Sequence, residues 1–73
     1  MELEKRVQKD IELFTKNCGE VEEGIVKSMA RKYYEDALYY MEKKDYVTAF
    51  GCIAYAHGLI DAIRLQSGEK VAD

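Results

Sequence analysis

His57, Asp61 and Arg64 form the one cluster in this sequence whose residue types and spacing could carry chemistry. Spacings of four and three residues place the three side chains near one another along a helix. A histidine one turn from a carboxylate can supply two metal ligands, or act as a general base that the acid orients. The favoured interpretation is structural: Asp61 pairs with Arg64, and His57 hydrogen-bonds a tyrosine hydroxyl or a carboxylate.

The sequence lacks the other features of catalytic and metal sites. It has one histidine and two cysteines, so no third or fourth metal ligand can be identified. It also lacks a glycine-rich phosphate loop and a serine with a base at useful spacing. We therefore assign no catalytic, metal-binding or cofactor-binding residue, and we expect a protein that is not an enzyme and takes no cofactor.

Length and charge limit the class of protein. The 73 residues suffice for one domain, residues 1–73, and not for a second. The 11 basic and 14 acidic residues give a formal charge of -3 without a basic segment, so we expect no nucleic-acid partner. No targeting peptide is recognisable at the N-terminus, which predicts a cytoplasmic protein. Residues 46–63 are nearly apolar, but their polar residues and two glycines argue against a membrane span.

Apolar periodicity and helix-end signals predict an all-α fold, an antiparallel up-down-up three-helix bundle with a long second helix. We expect helices at about 2–17, 20–44 and 46–66, and a tail at 67–73. Asp45 would cap the third helix and Ser67-Gly68 would close it. The predicted core stripes are Leu3, Val7, Ile11, Phe14 and Cys18 on the first helix; Val26, Met29, Ala30, Tyr33, Ala37, Tyr40 and Met41 on the second; and Tyr46, Ala49, Phe50, Ile53, Ala56, Ile60 and Ile63 on the third.

The same arrangement decides the state of the two cysteines. Cys18 would lie level with the end of the third helix, whereas Cys52 would lie on the order of 20 Å further down the bundle axis. A disulfide needs Cα atoms within about 7 Å, so both cysteines are predicted to be unpaired packing residues.

The third helix is apolar on more than its core stripe. A flank of small residues follows its length: Gly51, Ala54, Gly58 and Ala62. Glycine inside a helix costs about 1 kcal/mol relative to alanine, so two of them suggest that a neighbouring backbone packs closely there. We therefore expect the third helix to contact both of the others.

An interface is predicted from apolar residues that the bundle would leave uncovered. Three lie on the third helix and one, an exposed tyrosine, lies on the second: Tyr55, Leu59, Leu65 and Tyr39. A core of this size is marginal, and association commonly supplements one. The leading functional hypothesis is a small helical protein-interaction or structural module that binds a protein partner or a second copy of itself as a homodimer.

Three runs of residues carry a family resemblance: Ala30–Tyr40, Lys43–Phe50 and Ala54–Ala62. Together they resemble the small archaeal family catalogued as domain of unknown function 357, over nearly the whole chain and most specifically across residues 46–62. The resemblance implies an all-α three-helix fold and an archaeal, cytoplasmic protein. It implies no activity, because the family has none assigned.

Two looser resemblances keep alternatives open. The second and third helices are similar to a tetratricopeptide hairpin, although a single unit cannot build a solenoid. The chain also resembles helical accessory domains of nucleotidyltransferase-type and RNase-type systems. The RNase members have an arginine a few residues before a histidine, and His57 has none in the preceding turns. The last alternative is a metal-dependent or acid-base enzyme that uses His57 and Asp61.

Overall fold

The computed structural model describes residues 2–66, which form three helices: α1 (Glu2–Cys18), α2 (Ile25–Glu42) and α3 (Tyr46–Gln66). α3 packs against both other helices, most extensively against α2, whereas α1 and α2 touch over a smaller area. The predicted all-α three-helix bundle is confirmed. The tail predicted at 67–73, with the helix end at Ser67-Gly68, lies outside the described residues.

The core is built from the predicted apolar stripes. Its buried members are Val7, Phe14 and Cys18 from α1, Ala30 and Ala37 from α2, and Ala49, Ile53, Ala56 and Ile60 from α3. Two departures are found on α2. Val26 and Met29 were expected in the core and are exposed, whereas Tyr34, absent from the predicted stripe, stacks on the Phe14 ring at a centroid distance of 5.0 Å.

α2 begins at Ile25, five residues after the predicted start, and ends at Glu42. With 18 residues it is shorter than α3, which has 21, so the predicted long second helix is wrong. Residues 20–24 instead form a loop in which the Glu20 amide bonds the Asn17 carbonyl at 3.1 Å. Val21 is half-buried against the core, and its carbonyl accepts a 2.9 Å hydrogen bond from Lys27 Nζ. The packing of Val21 and the hydrogen bond from Lys27 thus stabilise residues 20–24 as a loop. A helix that began at residue 20 would separate Lys27 Nζ from the Val21 carbonyl.

The connection between α2 and α3 is short and closely hydrogen-bonded. Past the end of α2, the Lys44 amide bonds the Met41 carbonyl and the Asp45 amide bonds the Tyr40 carbonyl, the pattern of a Schellman motif. Lys44 takes the left-handed position, with φ of 61°, that glycine usually occupies. Asp45 Oδ1 accepts from the Thr48 amide at 3.3 Å, so the predicted cap of α3 is confirmed.

The prediction that a neighbouring backbone packs closely against the small-residue flank of α3 is wrong. A Cβ atom added at Gly51 or Gly58 would meet no other atom within 4 Å, so no backbone within residues 2–66 packs closely there. α3 does contact both other helices, but through its opposite side, where alanines such as Ala49 and Ala56 are fully buried. Close approach inside the bundle is therefore made at alanine, and the two glycines face outward.

α3 is also long and apolar enough to meet the criteria for a membrane-spanning helix, and it is the one helix within residues 2–66 that does so. Core helices of soluble proteins meet the same criteria when they are mostly buried. Here 22% of the most apolar stretch of α3 is buried within the protein. Much of its apolar surface is thus left uncovered by α1 and α2.

Candidate functional site

His57 joins α3 to α1. Its Nε2 atom lies 2.8 Å from the backbone carbonyl oxygen of Asp10, and its ring meets the edge of Phe14 at a centroid distance of 5.7 Å. The predicted partner, a tyrosine hydroxyl or a carboxylate, is therefore wrong. Because a carbonyl oxygen can only accept, Nε2 must carry the proton, and only Nδ1 is left for acid-base work.

His57 and Asp61 line a groove of about 330 Å³ between α1 and α3, the α1–α3 groove. Its walls are Arg6, Asp10, Leu13 and Asn17 from α1, and Phe50, Ala54, His57, Asp61 and Arg64 from α3. The predicted cluster is thus brought together, and α1 adds charges that the sequence could not place beside it. The expected ion pair between Asp61 and Arg64 stays a prediction.

Charges in the α1–α3 groove are partly balanced within α1. Arg6 Nε lies 3.6 Å from Asp10 Oδ2, and its guanidinium lies 5.8 Å from the centre of the Phe50 ring. Within residues 2–66, no three His, Cys, Asp or Glu side chains are grouped closely enough to hold a metal ion. The arrangement offers ion pairing and hydrogen bonding to a polar ligand, with the histidine fixed by the backbone.

The four predicted interface residues do not share one surface. Tyr55 and Leu65 are 53% and 63% exposed on α3, as expected, although the Tyr55 ring also packs against Tyr33 at 4.5 Å. Leu59 is half-buried against the core, so its prediction as uncovered is wrong. Tyr39 is exposed on α2, where its ring contacts Tyr40 and the Lys43 ammonium.

A larger uncharged surface surrounds Tyr55 and Leu65. We call it the outer face of α3, and it comprises all the exposed residues of Tyr46–Gln66: Val47, Thr48, Gly51, Ala54, Tyr55, Gly58, Ala62, Leu65 and Gln66. None of them is charged. Val47, at 74% exposed, was not among the predicted interface residues, although its helical spacing from Gly51 and Ala54 would have placed it there.

A second cleft, of about 200 Å³, lies where α1 ends and α2 begins, and no pattern in the sequence predicted it. Phe14 and Tyr34 line it together with the cations Lys27 and Arg31. Arg31 binds both carboxylate oxygens of Glu23, at 3.0 and 2.8 Å, and Lys27 lies 3.2 Å from the same carboxylate. The hydrogen bonds from Arg31, which have the largest effect, and the one from Lys27 lower the pKa of Glu23 to about 2.

Cys18 and Cys52 are both free, Cys18 in the core and Cys52 half-buried on α3. Burial raises the pKa of the Cys52 thiol, and the negative charges of Asp36 and Asp45 raise it further. A raised pKa keeps the thiol protonated, and the protonated form is a poor nucleophile. The geometry therefore supports the prediction that Cys52 packs rather than reacts.

The fold and the groove define a small all-α three-helix protein with a polar cleft and an uncharged helix face. The family model described as protein of unknown function (DUF357) matches residues 4–67 of the chain. The protein belongs to this family, and the predicted resemblance is confirmed. No curated protein matches the chain.

Proposed function

We propose that this protein is a cytoplasmic, non-enzymatic interaction module that binds through the outer face of α3, and that it associates with itself there. The observation that carries the proposal is the absence of charge among the exposed residues of Tyr46–Gln66, which include Val47 and Leu65 at 74% and 63% exposure. A helix of a soluble protein normally carries charged residues on its solvent side, and a contiguous uncharged face is typical of a contact surface.

The outer face of α1 supports this interpretation by contrast within the same molecule. Exposed residues of α1 are mostly charged, among them Lys5, Lys9, Glu12 and Lys16. Both helices face solvent in the isolated chain, so exposure alone does not explain the composition of α3. A binding partner that covers α3 and leaves α1 in water would explain both.

Two other functions fit the molecule less well. A membrane surface could also cover an uncharged face, but the formal charge of -3 disfavours attraction to anionic lipids. Acid-base catalysis at the α1–α3 groove would have to rely on Nδ1 of His57, because Nε2 is held by the Asp10 carbonyl. Acid-base catalysis would also leave the uncharged outer face of α3 unexplained.

The proposal is tested by mass in solution. Light scattering and sedimentation over a wide range of protein concentration should give a mass that rises from one chain towards two. Gly58→Glu, which places a charge where a Cβ has open space, should keep the protein at the mass of one chain. Gln8→Glu, on the exposed face of α1, is the matched control and should associate like the wild type.

A wild-type mass of one chain at every concentration would contradict self-association. Circular dichroism of Gly58→Glu must match the wild type, since a misfolded variant would tell nothing about the surface. Co-sedimentation with neutral and anionic lipid vesicles tests the membrane alternative. If the protein stays monomeric and binds vesicles, a membrane surface and not a second copy covers the outer face of α3.

A further inference from the structure

We propose that the second cleft, where α1 ends and α2 begins, binds a small apolar carboxylic acid. The carboxylate of the ligand binds Arg31 and Lys27, and its apolar body packs in the cleft against the ring of Tyr34. In the free protein, the carboxylate of Glu23 takes the place of the ligand's carboxylate. The walls of this cleft come from α1, α2 and the loop between them, so the site is separate from the outer face of α3.

The walls of the second cleft are mostly apolar. The half-buried ring of Tyr34 stacks on the buried ring of Phe14, and the buried Cys18 lines the cleft beside them. The volume of about 200 Å³ is below the roughly 300 to 1,000 Å³ of pockets that hold drug-sized molecules. The occupant must therefore be small, with an apolar group about the size of one side chain.

Lys27 supplies a fixed positive charge beside this apolar space. It is the one charged residue buried within residues 2–66, at 7% exposure. Its Nζ atom donates to the Val21 carbonyl at 2.9 Å and lies 3.2 Å from the Glu23 carboxylate, which uses two of the three ammonium hydrogens. Water screens a buried cation less than an exposed one, so an anion that reaches it is attracted more strongly.

The two cations of the cleft already bind a carboxylate, that of Glu23. Arg31 donates to both of its oxygens, at 3.0 and 2.8 Å, in the bidentate geometry that suits a planar carboxylate. Within residues 2–66, Glu23 is the one acid within ion-pairing distance of Arg31 or Lys27, whereas Glu35 acts on Arg31 only at longer range. Two cations thus face one carboxylate, which leaves a net positive charge.

Glu23 is a replaceable occupant of this position. Its side chain is 66% exposed, and it belongs to the loop of residues 20–24. An exposed ion pair contributes little to stability, so its displacement costs little. Glu23 is not among the residues that line the cleft, so it leaves the apolar walls uncovered. An acid with an apolar group replaces the ion pair and also buries apolar surface, which Glu23 does not.

Titration with phenylacetate, followed by heteronuclear NMR of the backbone amides, tests the site. The amides of Cys18, Gly19 and Lys27 should shift in a saturable way, with a Kd in the millimolar range or below. Three probes separate the parts of the ligand: phenylacetamide lacks the charge, acetate lacks the apolar group, and inorganic phosphate offers charge alone. Each should bind at least about tenfold more weakly than phenylacetate.

Opposite effects of two substitutions in one ion pair identify the role of Glu23. Glu23→Gln removes the competing carboxylate and should tighten phenylacetate binding about threefold. Arg31→Gln removes the bidentate donor and should weaken it at least about tenfold. Lys32→Gln removes an exposed cation of α2 outside the cleft walls and should bind like the wild type. Circular dichroism of each variant checks that the fold is kept.

Phenylacetamide or phosphate that binds as tightly as phenylacetate would overturn the recognition of an apolar acid. Unchanged or weaker binding by Glu23→Gln would overturn the competition by Glu23, and the absence of saturable shifts would overturn the site. Short peptides that end in phenylalanine, with a free or an amidated carboxyl end, distinguish two sources of the acid. Tighter binding of the free-acid peptide than of phenylacetate supports the site as one for a protein C-terminus, and weaker binding supports it as one for a free acid. None of these results depends on the mass in solution, so their failure leaves self-association standing.

Discussion

The inner and outer faces of α3 are equally free of charge, but only the inner face is covered. On the inner face, Ile53 and Ile60 are fully buried against α1 and α2. On the outer face, Val47 and Leu65 are more than half exposed, and Gly51 and Gly58 face open space. One helix thus carries two apolar surfaces, and folding of a single chain explains one of them.

The two faces of α3 are therefore apolar for two separate reasons. Burial on folding accounts for the inner face, because removing apolar area from water is the main stabilising contribution. The outer face gains little from folding, since its residues stay largely in water. Substitutions that separate the two causes should therefore affect different measurements, the free energy of unfolding for one face and the mass in solution for the other.

The largest effect on stability is expected on the inner face. Ile53→Ala should lower the free energy of unfolding by about 2 to 5 kcal/mol, because Ile53 is fully buried and its loss leaves a cavity. Val47→Ala is the matched outer-face variant and should change it by less than about 0.5 kcal/mol in dilute solution. Urea denaturation followed by circular dichroism measures both. Equal losses would mean that the two faces are covered alike.

His57 lies at the border of the two faces and ties α3 to α1. His57→Ala should lower the free energy of unfolding by about 1 to 2 kcal/mol, because the hydrogen bond to the Asp10 carbonyl is lost. His57→Gln can place an amide N–H near the position of Nε2 and should recover part of the loss. A glutamine variant as unstable as the alanine variant would argue that ring packing on Phe14, and not the hydrogen bond, is what His57 supplies.

On the outer face, a substitution should raise the free energy of unfolding instead of lowering it. Gly51→Ala should raise the free energy of unfolding of the dilute, monomeric protein by about 0.5 to 1 kcal/mol, because alanine favours the helix and its methyl group has open space. The same substitution should weaken self-association, since the methyl group keeps a second helix at a distance. Denaturation at low concentration and sedimentation at high concentration test the two halves. A variant that is more stable and associates as well as the wild type would remove the reason given for the glycine.

The smallest effect is expected away from α3, at the loop that precedes α2. Glu23 has a pKa of about 2 in the folded protein against an ordinary value of 4.5, so it stabilises the fold above pH 4.5 and loses that contribution as the pH falls towards 2. The difference in urea midpoint between wild type and Glu23→Gln should therefore shrink over this range. The Glu23 side chain is largely exposed, so the change should be small. A difference that is constant with pH would mean that the pair with Arg31 contributes nothing.

Much of the fold could be predicted from local patterns. The stripes of α1 and α3 follow from apolar spacing, and the cap at Asp45 follows from the type of residue before the helix. The start of α2 could not be predicted in this way, because Glu20 and Glu22 suit the first turn of a helix as well as they suit a loop. The start of α2 is decided by the hydrogen bond from Lys27 to the Val21 carbonyl. This bond requires a buried lysine, which sequence patterns rarely predict.

The site was harder to predict because its partners lie on different helices. The helical spacing placed His57 beside Asp61, but the carbonyl that binds His57 belongs to Asp10, 47 residues away along the chain. Every residue has a backbone carbonyl, so the sequence does not show which one accepts a hydrogen bond from a side chain. The glycines were predicted to meet a backbone, and the sequence alone could not tell a neighbour in the same chain from one in a second copy.

The Schellman turn at Lys43–Asp45 also bears on the order in which the helices come together. It joins α2 and α3 through very little chain, and these two helices share the most extensive contact, so their pairing requires the smallest loss of chain entropy. We expect a helical hairpin of α2 and α3 to form early in folding, with α1 docking last. In native-state hydrogen exchange, the amides of α1 should then open at a lower free energy than those in the middle of α3, whereas a single common value would mean that the three helices fold as one unit.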